Sequence, residues 1–317
     1  MTGSSPSGVT LAIPCRTDEP ALDRTLAAAA ASWEHVAGSA TTAFEVFVCL
    51  NGEGGAAPRG ALRRFADEIG APFAELDANG SPVLPPAGDS RGVVLLVTRR
   101  AGKPIAWNVL RRHVRTPLAV FVDADVSFGP DAFPLLLAAL EAHPEAILAS
   151  AKTTCAPRAT RFERVMAAPY AIDFPNLSAQ LYAARVAGLP ATMPEDLIEP
   201  ERWLELVVGR DAVVREPAAR VAVRLPGTLA DFFRQRVRIE MGKVQLAHAY
   251  PGLDARGESQ PRLAAALRSL DSPGLARLAV YLVLRTAAHA VAWRRYRRGR
   301  VDGIWLQAAT TKKWDPA

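Results

Sequence analysis

The chain has 317 residues, 50% of them apolar and 22% charged, with 38 Lys and Arg against 32 Asp and Glu. That balance fills a core and excludes a disordered or fibrous chain, and the basic surplus suits an anionic membrane face or a phosphorylated substrate. The cysteines Cys15, Cys49 and Cys155 are odd in number and lack CxxC spacing, which excludes a disulfide framework and a cysteine zinc site.

Met1–Gly8 is polar and lacks the basic stretch and apolar run of a signal peptide, so a reduced, cytoplasmic setting is expected. Val9–Ile13 is a short apolar strand ended by Pro14, and Asp18-Glu19-Pro20 opens a helix. Phe44–Leu50 is a strand stopped by Asn51-Gly52, Arg59–Ile69 a helix, Val93–Thr98 a strand and Lys103–Val114 a helix. Leu118–Val122 is a strand that runs into Asp123, Pro130–Ala142 is helical, and Ala146–Ala151 is again a strand. Apolar strands separated by helices predict a mostly parallel sheet with helices on both faces. Ligands of such sheets bind beyond the carboxyl ends of the strands. Those ends are Pro14–Asp18, Asn51-Gly52, Arg99–Lys103 and Asp123–Asp125.

After Ala151 the alternation weakens. Ala156–Phe174 reads as loop and then helix, Leu177–Leu189 leads into the acidic Met193–Glu201, and Val221–Leu225 reads as a short strand. Thr228–Ala249 is a basic helix, Pro251–Pro261 a linker, and the remainder helical to about Arg298. The expected organisation is an α/β domain over residues 1–249 and a helical, basic extension over 250–317.

The strongest chemical feature is Phe121-Val122-Asp123-Ala124-Asp125. Hard divalent cations are commonly held by one or two carboxylates plus substrate phosphates. A metal bridging a diphosphate improves the leaving group by neutralising its developing charge. Upstream, Gly102-Lys103-Pro104 offers a glycine for close backbone approach and a lysine at a helix N-terminus. A P-loop and a GxGxxG fingerprint are both absent.

In order and spacing, Val9–Glu19 (VTLAIPCRTDE), Phe44–Gly52 (FEVFVCLNG), Gly102–Leu110 (GKPIAWNVL) and Leu118–Asp125 (LAVFVDAD) resemble the family 2 glycosyltransferases of GT-A fold. Ser178–Leu189, the acidic Pro194–Leu204 and Phe232–Gly242 are similar to that family's acceptor loop and C-terminal Gln/Arg segment. Over roughly Val9 to Gly242 the resemblance implies a GT-A-like, mostly parallel sheet, to which the helical C-terminal extension is added, with a nucleoside-diphosphate-sugar donor and Mg²⁺ or Mn²⁺. It implies inverting transfer to a hydroxyl of a saccharide or lipid-linked acceptor. By position, Pro14, Arg16 and Asp18 would line the base and ribose pocket, with Asn51 beside the base. Gly102, Lys103 and Asn108 would approach the nucleotide, Asp123 the ribose or metal, and Asp125 the metal. Gln235, Arg236 and Arg238 would face the diphosphate or the acceptor. Leu50 stands where the family often has an Asp, which leaves the donor base open.

The resemblance also implies an acidic catalytic base in the acceptor loop, where Glu195, Asp196, Glu199 and Glu201 crowd together. Glu201, just before Trp203-Leu204, fits the register; Asp196 is the competitor. A rival to the enzyme is an inactive nucleotide-sugar-binding scaffold on a membrane.

Leu275–Trp293 is apolar but punctuated by Arg277, Arg285 and His289, and a basic run begins at Arg294. Those three residues share about a third of the helix circumference. An amphipathic helix on the anionic inner face of a membrane fits this pattern, as does a helix packed on the domain. Nucleic acid is not an expected partner. His248 is weighed as a third metal ligand and Trp107, Trp203 and Trp305 as sugar-stacking rings, against ordinary packing for each.

Overall fold

The computed structural model describes residues 8–37, 43–78, 92–156, 160–172, 177–254, 270–299 and 311. Two compact units divide the chain. The first is built from the described parts of Met1–Lys152, Leu177–Glu195 and Val208–Val221, the second from those of Thr153–Asn176, Asp196–Val207 and Ala222–Ala317.

The first unit carries the sheet. Its elements are β1 (Gly8–Arg16), α1 (Leu22–Ala37), β2 (Ala43–Asn51), α2 (Ala56–Glu68), β3 (Phe73–Asp77), β4 (Gly92–Thr98), α3 (Lys103–His113), β5 (Leu118–Val122), β6 (Ser127–Phe128), α4 (Ala132–Ala142), β7 (Leu148–Cys155), β8 (Leu181–Arg185) and β9 (Val213–Val223). The last residues of β7 and β9 belong to the second unit. Among the described residues the strands form one nine-stranded sheet in the order β3-β4-β2-β1-β5-β8-β7-β9-β6. β3, β4, β2, β1 and β5 are parallel, whereas β8 is antiparallel to both β5 and β7. This is the GT-A-like, mostly parallel sheet flanked by helices, and a helical C-terminal extension follows it.

The central strands are near-continuous apolar runs because both faces are covered. Leu11–Ile13, Val46–Leu50, Val93–Leu96 and Ala119–Val122 are buried. On α1, Leu22, Leu26, Ala29 and Trp33 recur at helical spacing and are buried, with Trp33 stacked on Phe44 at 3.8 Å between ring centroids. β2 and β5 flank β1 on opposite sides, so strand order reverses there, and such a switch point opens a crevice at the carboxyl ends.

Three strand assignments differ from the sequence expectation. Pro14 does not end β1, which continues to Arg16. The β1–β5 ladder stops at Ala12–Phe121, so on that side the missing proline N–H costs no ladder bond. β3 gives no clear apolar signal because every residue in it is at least partly exposed. β9 starts well before Val221 because its first half is also partly exposed and polar.

The second unit is mainly helical: α5 (Arg161–Met166), α6 (Pro200–Val208), α7 (Leu229–Ala249), α8 (Pro251–Asp254) and α9 (Ser272–Arg297). Thr160 caps α5 in a reciprocal pair with Glu163, Thr228 caps α7 through Asp231 N–H, and Asp271 caps α9 through Gly274 N–H. α9 packs Leu278 and Tyr281 into a cluster with Met166, Ile172, Leu225 and Phe232, and Ala288 and Ala292 into another with Ile198, Val237 and Met241. The expected linker begins as α8, and residues 255–261 lie outside the described part. Among the described residues, α9 is the one helix long and apolar enough to cross a membrane by length and composition.

Candidate functional site

The site is built where the parallel strands end. Arg16, Asn51 and Thr98 are adjacent in register at the tips of β1, β2 and β4. Buried Asn51 fastens three segments here. Its Nδ2 donates to Cys15 O at 2.8 Å, and its Oδ1 accepts from Gly102 N–H at 3.0 Å. Gly102 precedes α3 at φ 148°, a backbone conformation that side-chain-bearing residues rarely adopt. Asn51 therefore braces the turn that presents Lys103.

The Asp123 backbone N–H donates to Gln180 O at 2.9 Å, which extends the β5–β8 pairing one step beyond β5. The Asp123 carboxylate lies 2.6 Å from Lys103 Nζ, and the two side chains are only 14% and 10% exposed. Lys103 Nζ also donates to Ala179 O at 3.1 Å. Asp125 is half-buried in the turn two residues on. Behind this turn Phe121 stacks between Trp107 and Tyr182, and Trp107 Nε1 donates to the Tyr182 hydroxyl at 3.0 Å. Trp107 is thus a packed ring under the site rather than a sugar platform.

The first unit distributes the other candidates as follows. Arg16 and Asp18 engage each other in a two-pronged pair at 2.8 and 3.0 Å. Pro14 is half-buried within β1. Asn108 is buried, and both ends of its amide hold the Met193 backbone, at 2.9 Å and 2.8 Å; it anchors the segment before Glu195. Arg100 and Glu195 form an exposed ion pair.

The remaining candidates belong to the second unit. Asp196 is exposed, Glu199 half-buried, and Glu201 buried in the first turn of α6. Gln245 on α7 pins the segment before α6: its Nε2 donates to Asp196 O at 2.9 Å and its Oε1 accepts from Ile198 N–H at 3.0 Å. Arg238 donates weakly to Ile198 O at 3.4 Å. A side chain at Gly242 would collide with Glu199. Sequence reasoning missed Gln245; the signal for this packing was Gly242 itself, a glycine inside a helix. Gln235 and Arg236 line a cavity of about 60 Å³ with Met166, Tyr170, Phe232 and Tyr281. Burial holds the Arg236 guanidinium below its ordinary value, against the opposing pull of Glu240. His248 bonds the Val244 carbonyl and packs on Tyr296. Trp203 is buried, and Trp305 lies outside the described residues.

Among the described residues, no three His, Cys, Asp or Glu side chains gather as a metal site. Asp123 and Asp125 nevertheless fit a hard cation. Two carboxylates at a strand end match an ion that completes its shell with water and substrate oxygens. Lys103 would share Asp123 with it.

By sequence the chain matches no family model and no curated protein. By structure it is similar to the mannosyltransferase PcManGT from Pyrobaculum calidifontis, solved with GDP-Man and Mn²⁺. The match has 20% identity and a TM-score of 0.56, and covers 92% of this chain and 87% of that one. It is also similar to a mycobacterial protein at 16% identity and a TM-score of 0.50, over 76% of this chain and 74% of that one.

Proposed function

We propose that the chain is a nucleotide-sugar-dependent glycosyltransferase. The observation that carries this reading is the acidic strand end itself: Asp123 fixed by Lys103, with Asp125 beside it, at the switch point of a GT-A-like sheet. The likeness to a mannosyltransferase solved with a nucleotide sugar and Mn²⁺ supports it. Asp123 and Asp125 would hold a divalent cation, which when bound would supply charge neutralisation for a departing diphosphate. Lys103 adds a second positive charge, and Asn51 and Gly102 keep the turn that carries it in place.

Transfer is inverting in this reading. The acceptor hydroxyl oxygen bonds to the anomeric carbon as the bond from that carbon to the phosphate oxygen breaks. The nucleoside diphosphate leaves with that electron pair, and the hydroxyl proton passes to a carboxylate. Glu201 is the base by its register ahead of Trp203-Leu204, and Asp196 is the competitor.

Heat-denaturation shifts with uridine, guanosine and thymidine diphosphates test the donor site. At least one diphosphate is expected to stabilise the protein with Mn²⁺ and to have no effect with EDTA. Asp125→Ala is expected to remove the shift. An equal shift in EDTA would overturn the metal role, and no shift with any diphosphate would overturn the donor site.

A further inference from the structure

α9 is oriented against the usual rule for a surface helix. On a helical wheel, Arg277, Arg285 and His289 fall in the same third, roughly, as Gly274, Leu278, Tyr281, Ala288 and Ala292. Those five are the buried residues of α9. The polar sector therefore faces inward. Glu240 of α7 receives two of its three residues: Arg285 Nε lies at 3.1 Å and His289 Nδ1 at 3.2 Å from the buried carboxylate. Lys243 joins them at 3.2 Å and Arg236 at 3.8 Å.

The opposite sector is turned outward and is apolar apart from Thr286, whose hydroxyl donates to Leu282 O at 2.9 Å. Leu275, Val280, Leu282, Val283, Val291 and Trp293 are exposed, Val283 at 69%. Ala276, Ala279, Ala287 and Ala290 fill the spaces between them and are also exposed. At its C-terminal end this face runs into Arg294, Arg297 and Arg298, all exposed, with Arg295 on the flank and Arg297 stacked over the Trp293 ring at 4.6 Å. A 26-residue helix is about 39 Å long. It contains no Asp or Glu.

We infer that the outward face of α9 lies in the plane of an anionic lipid bilayer, with Val280, Val283 and Val291 among the acyl chains and Arg294, Arg297 and Arg298 on the headgroup phosphates. An apolar helical face ending in arginines and a boundary tryptophan matches that interface. A second copy matches it poorly, because α9 has no acidic residue to receive the partner's arginines. A crossing helix matches poorly too, because one side of α9 is committed to Glu240 and to the packing of α5 and α7. This inference is independent of the transferase reading.

The test is co-sedimentation of the full chain with vesicles of phosphatidylcholine, with and without phosphatidylglycerol. The protein is expected to bind the anionic vesicles and to be released as salt rises from about 0.1 to 0.5 M. Val283→Asp, at an exposed position that folding does not need, is expected to lower partitioning at least about tenfold. Joint Arg294→Gln, Arg297→Gln and Arg298→Gln is expected to lower it about a hundredfold. Helicity and melting temperature should be unchanged in both variants. Equal binding to neutral and anionic vesicles, or binding indifferent to Val283→Asp, would overturn the inference. So would a lipid-free dimer that Val283→Asp dissociates, since a second copy would then own the face.

Discussion

Asp123 and Glu240 are both carboxylates held by cations, and they are held for different ends. Asp123 is paired with Lys103 at 2.6 Å and is followed two residues on by Asp125. Glu240 meets Arg236, Lys243, Arg285 and His289, so its cluster keeps an excess of positive charge. The first lies at the carboxyl end of a strand, with the Asp123 side chain 14% exposed. The second is only 3% exposed and joins two helices. Position in the fold and access to water separate a carboxylate proposed to bind a cation from an internal fastener, although each looks like a salt bridge when taken alone.

Activity should respond most strongly to the acidic residues of the proposed acceptor segment. Glu201→Gln is expected to lower turnover by about 10²–10⁴-fold and to leave nucleoside-diphosphate affinity unchanged, because it removes basicity and keeps shape. Asp196→Asn belongs in the same assay. If it alone abolishes transfer, the base is Asp196; if both variants remain fully active, neither residue is the base.

Glu240 should dominate stability. Glu240→Leu removes the buried partner shared by the half-buried Arg236, Lys243 and Arg285 and is expected to cost about 3 kcal/mol in urea unfolding. Donor affinity at the Asp123 cluster should stay intact. Burial pushes the Glu240 carboxyl up, but Lys243, Arg285 and Arg236 together outweigh it and hold the group below its ordinary value. The contribution is therefore complete above the ordinary carboxylate range and is lost as pH falls through the depressed value. Glu240→Gln should flatten that acid limb of the stability curve. An unchanged limb would show that Glu240 is not what couples the helices to pH.

The strand-end cluster was legible in sequence because two local signals coincide there. The runs Val46–Leu50 and Val120–Val122 are apolar without alternation, which marks strands buried on both faces. The acidic pair follows one of them directly. The Glu240 cluster was not legible. In the basic run of α7 a single Glu reads as one more solvated charge. The wheel of α9 locates the polar sector but cannot say which way it faces; only docking on α7 decides that. Asn108 and Asn51 were read as nucleotide contacts from their place in the motifs. Their observed partners are the Met193 backbone and the Cys15 and Gly102 backbones, pairings between segments far apart in sequence. β3 and the first half of β9 escaped because partly exposed strands carry little apolar periodicity.

The smallest expected effect tests whether the strand-end cluster, unlike Glu240, depends on a brace that carries no charge. Asn51→Ala removes the donor to Cys15 O and the acceptor for Gly102 N–H at a nearly enclosed position. Leaving buried backbone groups without partners costs about 1–3 kcal/mol. The loss should be smaller than for Glu240→Leu, because water can reach the half-buried Gly102 turn. The two variants should differ more clearly in where the loss appears. Gly102 sets the conformation from which α3 starts, and Lys103 is the first residue of that helix. Relaxing the turn lets Lys103 move away from Asp123, so Asn51→Ala should weaken Mn²⁺-dependent binding of a nucleoside diphosphate at a temperature where the protein is still folded. Glu240→Leu should show the reverse pattern, a large stability loss with unchanged affinity. If Asn51→Ala lowers stability alone, Asn51 is a structural fastener like Glu240, and the distinction between the two clusters rests on the carboxylates only.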